Sequence, residues 1–302
     1  MKKVFISILT FNDNKSTSEC LDSIENLKKQ DFGLFVVVVD NASANAFSAK
    51  KTYKNFSLKI IRNENNLGFS GGHNVGINHA LSQDADFVVI LNNDTVLGNN
   101  LIVNMLSGFD KEVGVVVPKI YFAKGHEYHK EKYTEADLGK VIWYAGGKMD
   151  WKNIYGQHIG VDEVDSEKFN KEEETELATG CCMMVKREVF GKAGLLNEKY
   201  FLYYEDADFS MKAKRKGFKI IYKPDAFLWH INAASTGGSG SELQDYYITR
   251  NRLYFGVRHA PLRAKAALFR ESLRLARSGR KWQKEAVKDF YKGIMGKGKY
   301  KK

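Results

Sequence analysis

The first hundred residues alternate short apolar runs with segments of helical periodicity, and this alternation restricts the fold more than any other feature of the chain. The runs are apolar at consecutive positions, which is typical of strands buried on both faces of a parallel sheet. Helical segments between such strands cover the two faces, so the sequence predicts an α/β fold with a mostly parallel sheet. The predicted strands cover residues 5–10, 34–39, 58–61 and 87–91.

The sequence also contains a signal for the start of a helix. Its pattern changes in the second half of the chain. Ser16 and Glu19 have capping-box spacing before a helix on which Cys20, Ile24 and Leu27 share a face. The later elements are predicted in this order: a hairpin at 141–160, a mobile loop at 162–176 with eight acids and two lysines, a strand at 177–185, a helix at 205–216, and short strands at 218–222 and 226–229.

Length and composition exclude several classes of protein. A chain of 302 residues, 43% of them apolar, can form one large domain or two modest ones and is not disordered throughout. No apolar run approaches the roughly 18 residues that span a bilayer. Residues 1–11 mimic a secretion signal, but residues 12–14 are polar and no cleavage site follows. Three cysteines suit a reducing compartment, so we expect a cytoplasmic protein, soluble in its larger part.

The positive charge is concentrated at the carboxyl end. Residues 250–302 carry 17 Lys and Arg against 3 Asp and Glu, whereas the remaining 249 residues have a net charge of −3. An apolar helical stripe in this tail is flanked by arginines. The stripe comprises Leu262, Ala266, Phe269, Leu273 and Ala276, and the arginines are Arg263, Arg270, Arg274 and Arg277. Such a helix binds an anionic membrane surface or packs on the body with a solvated basic face, and it lacks a motif for reading nucleic acid.

Polar residues follow three of the predicted strands. They are Thr10 and Asn12 after the first strand, Asp40 and Asn41 after the second, and Asn92 and Asp94 after the fourth. Each alone is compatible with a turn or a helix cap, but together they place carboxylates and amides at one edge of the sheet, where α/β folds bind ligands. Asp40 is suited to accept a hydrogen bond from a pyrimidine ring N–H. Asp94 is suited to hold a divalent metal on a diphosphate.

Two segments are suited to bind phosphate groups. Residues 65–76 are glycine-rich and open a predicted helix, so their backbone can approach a nucleotide and present N–H groups to an anion. Their glycine spacing matches neither the dinucleotide-binding fingerprint nor a P-loop, which argues against a dehydrogenase and an ATPase. Further along the chain, Arg250 lies beside Tyr246 and Tyr247, which is compatible with a phosphate site.

Acidic and imidazole side chains in the second half are candidates for catalysis. Glu205, Asp206 and Asp208 start a predicted helix, where acids complement the helix dipole. An aspartate there that faces a pocket can act as a general base. His230 ends an apolar strand and is either structural or a partner of Asp94 on one metal ion.

Taken in order, these motifs resemble those of family 2 glycosyltransferases, which are inverting enzymes of the GT-A fold. The matching stretches are Thr10-Phe11-Asn12, VVDNAS at 38–43, NNLGFSGGHNVGI at 65–77, LNNDT at 91–95, Ala178-Thr179-Gly180 and Glu205-Asp206. His230 follows Asp206 by 24 positions and precedes Ser235 and Gly237, as in the branch with rhamnosyl- and galactofuranosyltransferases. The resemblance extends over residues 4–256 and is greatest to the rhamnosyltransferase-like branch.

The resemblance implies a role for each matching residue. Asp206 would be the catalytic base, with Glu205 beside it. Asp94 and His230 would bind Mg²⁺ or Mn²⁺, and the usual Asp-X-Asp metal motif is reduced here to a single carboxylate, since residues 92–94 read Asn-Asn-Asp. The donor site would comprise Thr10, Asn12, Asp40, Asn41, Asn66, Gly68, Asn74, Asn92, Asp94 and Arg250.

The resemblance also implies the organisation and activity of the chain. We expect a GT-A domain at 1–240, with a nucleotide-sugar-binding half at 1–118 and an acceptor and catalytic half at 119–240, followed by a basic helical extension at 241–302. The implied reaction moves rhamnose from dTDP-rhamnose to a hydroxyl of a glycan or of a polyprenyl-diphosphate-linked glycan. The extension would hold the enzyme on anionic lipid at the inner face of the cell membrane. No nucleic-acid partner is implied, and the oligomeric state stays open, a homo-oligomer included.

Three alternatives stay open at this point. An enzyme of the same family could instead use a UDP-linked galactofuranose, galactose or glucose. A nucleotidyltransferase could share the sheet, but residues 10–13 lack the Gly-rich, Arg- or Lys-bearing loop of that class. A basic nucleotide- or nucleic-acid-binding module would account for the tail and leave the polar strand ends without a role.

Overall fold

A mixed β-sheet forms the centre of the molecule. The computed structural model describes residues 1–231 and 240–300, so Ser235 and Gly237 lie outside the described residues. The strands, in chain order, are β1 (Lys2–Thr10), β2 (Phe32–Asp40), β3 (Ser57–Arg62), β4 (Phe87–Asn92), β5 (Thr95–Leu97), β6 (Val113–Phe122), β7 (Ile142–Tyr144), β8 (Gly147–Asp150), β9 (Tyr155–His158), β10 (Glu173–Glu174), β11 (Cys182–Lys186) and β12 (Lys219–His230). Within these residues, ten strands form one sheet, and β8 pairs with β9 in a second.

Helices cover the sheet and form the carboxyl end. They are α1 (Asn14–Glu25), α2 (Gly68–Ser82), α3 (Leu101–Ser107), α4 (Arg187–Ala193), α5 (Glu205–Arg215), α6 (Glu242–His259), α7 (Leu262–Ser278) and α8 (Lys281–Tyr291). Among the described residues, no helix combines the length and apolar character needed to cross a membrane.

The strand order places the amino-terminal strands in a parallel block. The main path of the sheet is β10-β12-β6-β11-β4-β1-β2-β3. β3, β2, β1 and β4 run parallel, which confirms the prediction for the first hundred residues. β11 runs antiparallel between β4 and β6, and β12 runs parallel to β6. Because parallel neighbours end at the same edge, the carboxyl ends of β1, β2 and β4 lie side by side.

The first helix packs on the sheet as predicted but begins earlier than predicted. Cys20, Leu21 and Ile24 of α1 are fully buried in the main core. Asp13 caps the helix, because its carboxylate accepts a hydrogen bond from the Ser16 N–H at 3.1 Å. An aspartate at this position satisfies one of the backbone donors that the first turn leaves unpaired. The prediction that Ser16 caps the helix is therefore wrong.

The acidic segment 162–176 is ordered against the body, and the prediction of a mobile loop is wrong. Asp165 accepts hydrogen bonds from the buried Lys119 ammonium at 3.0 Å and from the Tyr121 hydroxyl at 2.5 Å. The end of the segment forms β10, which pairs with β12. Both partners of Asp165 are distant from it in the sequence. Local composition therefore does not indicate that this segment is held in place.

Two strand predictions differ from the structure for reasons of hydrogen bonding. β11 begins only at Cys182, because the N–H groups of Ala178 and Gly180 donate to the side chains of Ser210 and Asp206 on α5 instead of to a neighbouring strand. The two short strands predicted between 218 and 229 are one strand, β12, with a register shift between Lys223 and Phe227. Pro224 lies in this interval and has no N–H for the ladder.

The C-terminal helices pack on the rest of the molecule. One apolar cluster joins Leu177 and Ala207 with Leu253 of α6, Leu268 of α7 and Val287 of α8. The extension is helical, as predicted. Since this cluster crosses residue 240, the domain boundary there stays a prediction.

Candidate active site

The polar strand ends meet at one edge of the sheet. Thr10 lies opposite Asp40 in the β1–β2 ladder, and Leu9 lies opposite Asn92 in the β1–β4 ladder. β12 reaches the same edge, because His230 lies opposite Thr95 in the β5–β12 ladder. The register thus brings together the ends of strands that are far apart in the sequence.

Asp94 and His230 form a close pair at this edge. The His230 Nε2 atom lies 3.2 Å from the Asp94 Oδ1 atom, and both side chains are largely buried. The Ile231 N–H donates to the Asp94 carbonyl at 2.9 Å, which fixes the two backbones side by side. Within the described residues, the buried Nδ1 atom of His230 has no hydrogen-bond partner.

This pair fits two adjacent ligands of one divalent cation. Neighbouring ligands of an octahedral ion with bonds of about 2.1 Å lie about 3.0 Å apart, close to the separation found here. Among the described residues, no group of three His, Cys, Asp or Glu side chains could hold a metal ion. Mg²⁺ and similar ions commonly take one or two protein ligands and complete their shell with substrate phosphates. The residues therefore fit a cation that arrives with a diphosphate.

Asp206 lies at the start of α5 and lines a cleft of about 220 Å³. Its carboxylate accepts hydrogen bonds from the Gly180 N–H at 3.0 Å and the Ala207 N–H at 2.8 Å. Burial raises the pKa of Asp206, although these two bonds favour the ionised form. A carboxylate with a raised pKa in a cleft is suited to remove a proton from a substrate.

Glu205 is buried beside Asp206, and the carboxylate that lines the cleft is that of Asp206. Burial, and then the negative charge of Asp206, raise the pKa of Glu205 well above its usual range. This direction favours the neutral form of Glu205, which adds no second negative charge next to Asp206. The catalytic role of Glu205 stays a prediction.

Trp143 and His158 connect the cleft with the Asp94–His230 pair. The Trp143 ring lies 4.7 Å from the His230 ring and 4.4 Å from the His158 ring. His158 lines the same cleft as Asp206. Its Nδ1 atom lies 3.1 Å from the Trp143 carbonyl oxygen and must donate to it, which leaves Nε2 as an acceptor. Burial lowers the pKa of His158 to about 4, so the ring is neutral at pH 7.

Asp40 is held by the loop that follows it. The N–H groups of Ser43 and Phe47 donate to its carboxylate at 2.9 and 3.0 Å, and the Arg62 guanidinium donates at 2.6 Å. Burial opposes ionisation, but these partners hold the pKa of Asp40 below its usual value. Both carboxylate oxygens are engaged within the protein, and a contact with a pyrimidine N–H stays a prediction.

Asn41 ties the end of β2 to the glycine-rich segment. Its amide donates to Asn66 Oδ1 at 2.9 Å and to the Gly68 carbonyl at 3.1 Å. Gly68 has a φ of 72°, and a Cβ atom there would lie 2.4 Å from the Phe201 carbonyl oxygen. Glycine is therefore required where this segment meets the chain that leads to the base.

The remaining predicted donor-site residues differ in exposure. Thr10 is fully buried, whereas Asn12 is exposed beyond the end of β1 and adopts a φ of 57°. The Asn74 amide donates to the Leu196 carbonyl and to the Glu198 carboxylate, both at 2.9 Å. Of these three residues, Asn12 is the one that is exposed, and the donor contacts of all three stay predictions.

Arg250 lies in the interior and not at the sheet edge. Its side chain is 0% exposed, and its guanidinium lies over the rings of Tyr246 and Tyr247 at 5.1 and 5.2 Å. It donates to the carbonyl oxygens of Tyr200 and Gly296 at 3.2 and 2.7 Å. This corrects the expectation that Arg250 binds the donor diphosphate, because the buried guanidinium is occupied by protein groups.

The neighbouring residue, Asn251, holds the segment that leads to Asp206. Its amide nitrogen lies 2.8, 2.7 and 2.9 Å from the carbonyl oxygens of Tyr200, Leu202 and Tyr203. Tyr203 and Tyr204 have φ values of 69° and 74°, a left-handed conformation that costs a non-glycine residue about 1–3 kcal/mol. Asn251 thus stabilises a strained turn immediately before α5, the helix that begins with Glu205 and Asp206.

Replacing Asn251 by Ala is expected to lower the free energy of unfolding by about 1–3 kcal/mol, because three carbonyl groups lose a buried donor. The turn would relax and displace the base, so kcat should fall by at least about tenfold. Urea unfolding and steady-state kinetics measure the two effects. Asn26→Ala is the matched control, since the exposed Asn26 amide donates to one carbonyl. Equal stability and equal kcat for the two variants would contradict the assignment.

Trp143, Tyr144 and His158 belong to the site but are not among the residues predicted from the sequence. They lie within residues 141–160, which were predicted only as a structural hairpin. The one feature of the sequence that marks these three residues is the concentration of aromatic and imidazole side chains in this short segment. Such residues are more often part of a core, so this signal becomes informative only when the cleft is known.

Comparison with known proteins assigns the family. Residues 2–281 match the family model described as "Glycosyltransferase like family 2". The chain is 24% identical to "dTDP-rhamnosyl transferase RfbF" of Shigella flexneri, over 98% of each protein. It is 23% identical to "N-acetylglucosaminyl-diphospho-decaprenol L-rhamnosyltransferase" of Mycobacterium tuberculosis, over 76% of this chain and 78% of that protein. It is also 26% identical to "Low-salt glycan biosynthesis hexosyltransferase Agl10" of Haloferax volcanii, over 66% of this chain and 60% of that protein.

Solved structures share the fold at low sequence identity. The structure of GalNAc-T7 with UDP, GalNAc and Mn²⁺ superposes with a TM-score of 0.61 at 17% identity, over 97% of this chain and 58% of that one. The mannosyltransferase PcManGT from Pyrobaculum calidifontis, in complex with GDP-Man and Mn²⁺, gives a TM-score of 0.53 at 16% identity, over 98% and 76% of the chains. The predicted GT-A fold is confirmed. The chain belongs to glycosyltransferase family 2.

Proposed function

We propose that this glycosyltransferase moves rhamnose from dTDP-rhamnose to a hydroxyl group of a lipid-diphosphate-linked glycan. One observation carries the proposal: a pair of side chains suited to a metal–diphosphate is connected, through two aromatic contacts, with a cleft that contains a buried base. Two relatives support the donor, since their names specify dTDP-rhamnosyl and L-rhamnosyl transfer. The name of the second also specifies a diphospho-decaprenol substrate, which supports the acceptor class.

In the proposed reaction, Asp206 removes the proton of the acceptor hydroxyl as that oxygen attacks the anomeric carbon. The bond from this carbon to the diphosphate breaks on the opposite face, so a single displacement inverts the configuration. The N–H groups of Gly180 and Ala207 hold the carboxylate in position. Mg²⁺ or Mn²⁺ held by Asp94 and His230 would supply positive charge to offset the charge that grows on the leaving diphosphate.

The walls of the cleft support binding of the acceptor sugar. Leu177, Tyr204 and Ile248 line it and limit access of water to the base. The free acceptor position at His158 Nε2 is suited to a hydrogen bond from a sugar hydroxyl. We therefore assign His158 to acceptor binding.

The proposed acceptor is carried on a lipid, so the enzyme would work at the inner face of the cell membrane. The strongly basic tail would then be attracted to anionic headgroups. Neither the binding of the lipid-linked acceptor nor the attraction of the tail to the membrane involves nucleic acid.

A donor panel tests the proposal. The protein is incubated with dTDP-rhamnose, UDP-galactofuranose, UDP-galactose or UDP-glucose, with Mn²⁺ or Mg²⁺ and a prenyl-diphosphate-linked N-acetylglucosamine, and the released nucleotide and the product are measured. With dTDP-rhamnose, and with none of the UDP-sugars, we expect release of dTDP and formation of the extended acceptor. Asp206→Asn controls for contaminating hydrolases. Transfer from a UDP-sugar without transfer from dTDP-rhamnose would overturn the rhamnosyl assignment, and salt-sensitive duplex binding without any transfer would overturn the whole proposal.

A further inference from the structure

α7 has two apolar faces, and one of them packs on the protein. Ala264, Leu268 and Ser272 are buried at steps of four residues. Leu268 packs against α6, since a Cβ atom added at Gly256 would lie 2.4 Å from its Cδ2 atom. The Ser272 hydroxyl lies 2.7 Å from the Tyr291 hydroxyl at the end of α8. This face is therefore the one that holds α7 to its neighbouring helices.

The other apolar face is the stripe predicted from the sequence, and it points to solvent. Leu262, Phe269 and Leu273 are 82%, 53% and 53% exposed, and Ala266 and Ala276 are exposed as well. Single exposed apolar residues are ordinary, but an aligned row on one helix marks an interaction surface. α7 therefore packs on the body through its other row of side chains, whereas this stripe and the arginines beside it stay exposed.

The exposed apolar surface continues beyond α7. Val257 of α6 and Tyr291 of α8 are both more than half exposed. Together with Phe269 they border an apolar groove of about 390 Å³. The stripe and this groove form one surface, which we call the α7 face.

The charges around the α7 face select the kind of partner. Arg263, Arg270, Arg274 and Arg277 are exposed and lie along one side of the stripe, as the 3.6-residue turn of the helix places them. The single acid of α7, Glu271, is bound by the Arg252 guanidinium of α6 at 3.0 and 2.8 Å and does not offset them. A row of apolar side chains beside a row of arginines complements a bilayer interface, where anionic headgroups lie above acyl chains.

We propose that the α7 face lies in the interface of an anionic bilayer, with Leu262, Phe269 and Leu273 inserted below the headgroups. The contact does not depend on which sugar donor the enzyme uses. α6 connects it with the cleft, since Ile248 lines the cleft and His259 ends the helix eleven residues later, about 16 Å away along the axis. The cleft then stands close enough to the membrane to reach a sugar on a lipid diphosphate.

Vesicle flotation tests the binding. The full chain is mixed with phosphatidylcholine vesicles or with vesicles that also contain phosphatidylglycerol. We expect recovery with the anionic vesicles and at least about tenfold less with the neutral ones. The double variant Phe269→Ser, Leu273→Ser should lose flotation and keep transfer to a water-soluble acceptor, whereas Val161→Ser, which removes an exposed apolar side chain elsewhere, should float normally. Equal recovery with both vesicle types, or flotation of the double variant, would overturn the proposal.

A fluorescent label tests the depth of insertion independently. The three native cysteines are buried, so Leu273→Cys can be labelled selectively with a polarity-sensitive dye. Its emission should shift to the blue only with anionic vesicles, and a label at the exposed Lys54→Cys should not respond. A blue shift that instead follows protein concentration without vesicles, with a dimer in light scattering, would assign the face to a second copy of the chain. Transfer to a water-soluble acceptor does not require a membrane. This transfer therefore tests the proposed function separately from the binding of the α7 face to a bilayer.

Discussion

Replacing Asp206 by Asn is expected to lower kcat by about 10²–10⁴, because the amide cannot take the proton from the acceptor hydroxyl. The affinity for the donor should not change, since Asp206 is not one of the two residues, Asp94 and His230, that are proposed to hold the metal and diphosphate. Donor binding by calorimetry and turnover by product formation separate the two quantities. Glu188→Gln, which changes an exposed carboxylate on α4, is the control.

The pH profile gives a second test of the same base. Asp206 must be ionised to accept a proton, and its pKa is raised by burial. The rate should therefore fall as the pH is lowered through this raised pKa, at a higher pH than an ordinary aspartate would give. The Asn variant should lack this acidic limb. If the variant retains near-normal transfer with the same profile, Asp206 is not the base.

The second large effect is expected on substitution of Asp94 or His230, the two proposed metal ligands. Asp94→Ala should lower kcat/KM by about 10²–10³, as expected when a group that stabilises developing charge is removed. His230→Ala should raise the Mn²⁺ concentration needed for half-maximal activity by about 10–100-fold, because one of two protein ligands is lost.

Binding of Mn²⁺ in the presence of TDP, followed by paramagnetic resonance, measures the same site without turnover. Asp225→Asn removes an exposed carboxylate away from the pair and serves as the control. Asn92→Asp restores a second carboxylate in the sequence motif and should tighten Mn²⁺ binding. Identical Mn²⁺ titrations for the wild type and His230→Ala would exclude a ligand role for the imidazole.

Much of the fold followed from local pattern. Strands such as β1 and β2 are apolar at consecutive positions, and this pattern is compatible with few arrangements other than a covered parallel sheet. The position of Asp40 and Asp94 at strand ends then followed from geometry, because parallel strands end at a common edge. The order of the motifs was enough to indicate the family.

Other assignments depended on contacts that local pattern does not encode. Arg250 has the sequence context of a phosphate ligand, yet its guanidinium is buried among tyrosines and carbonyl groups. Glu205 and Asp206 are adjacent acids, and only the folded chain shows that Asp206 lines the cleft, where the Gly180 and Ala207 N–H groups hold its carboxylate. Asp165 lies in an acidic stretch that looked unstructured, and the distant Lys119 orders it.

α7 shows most clearly what the sequence by itself determined and what the tertiary structure decided. Periodicity establishes that Leu262, Phe269 and Leu273 share one face of a helix, because the spacing of side chains around a helix is a local property. The same helix carries a second small and apolar row that includes Ala264 and Leu268, and local spacing treats both rows alike. Only the neighbours supplied by α6 and α8 determine that the second row is buried and the first faces outward, because burial depends on which surfaces of distant segments fit together.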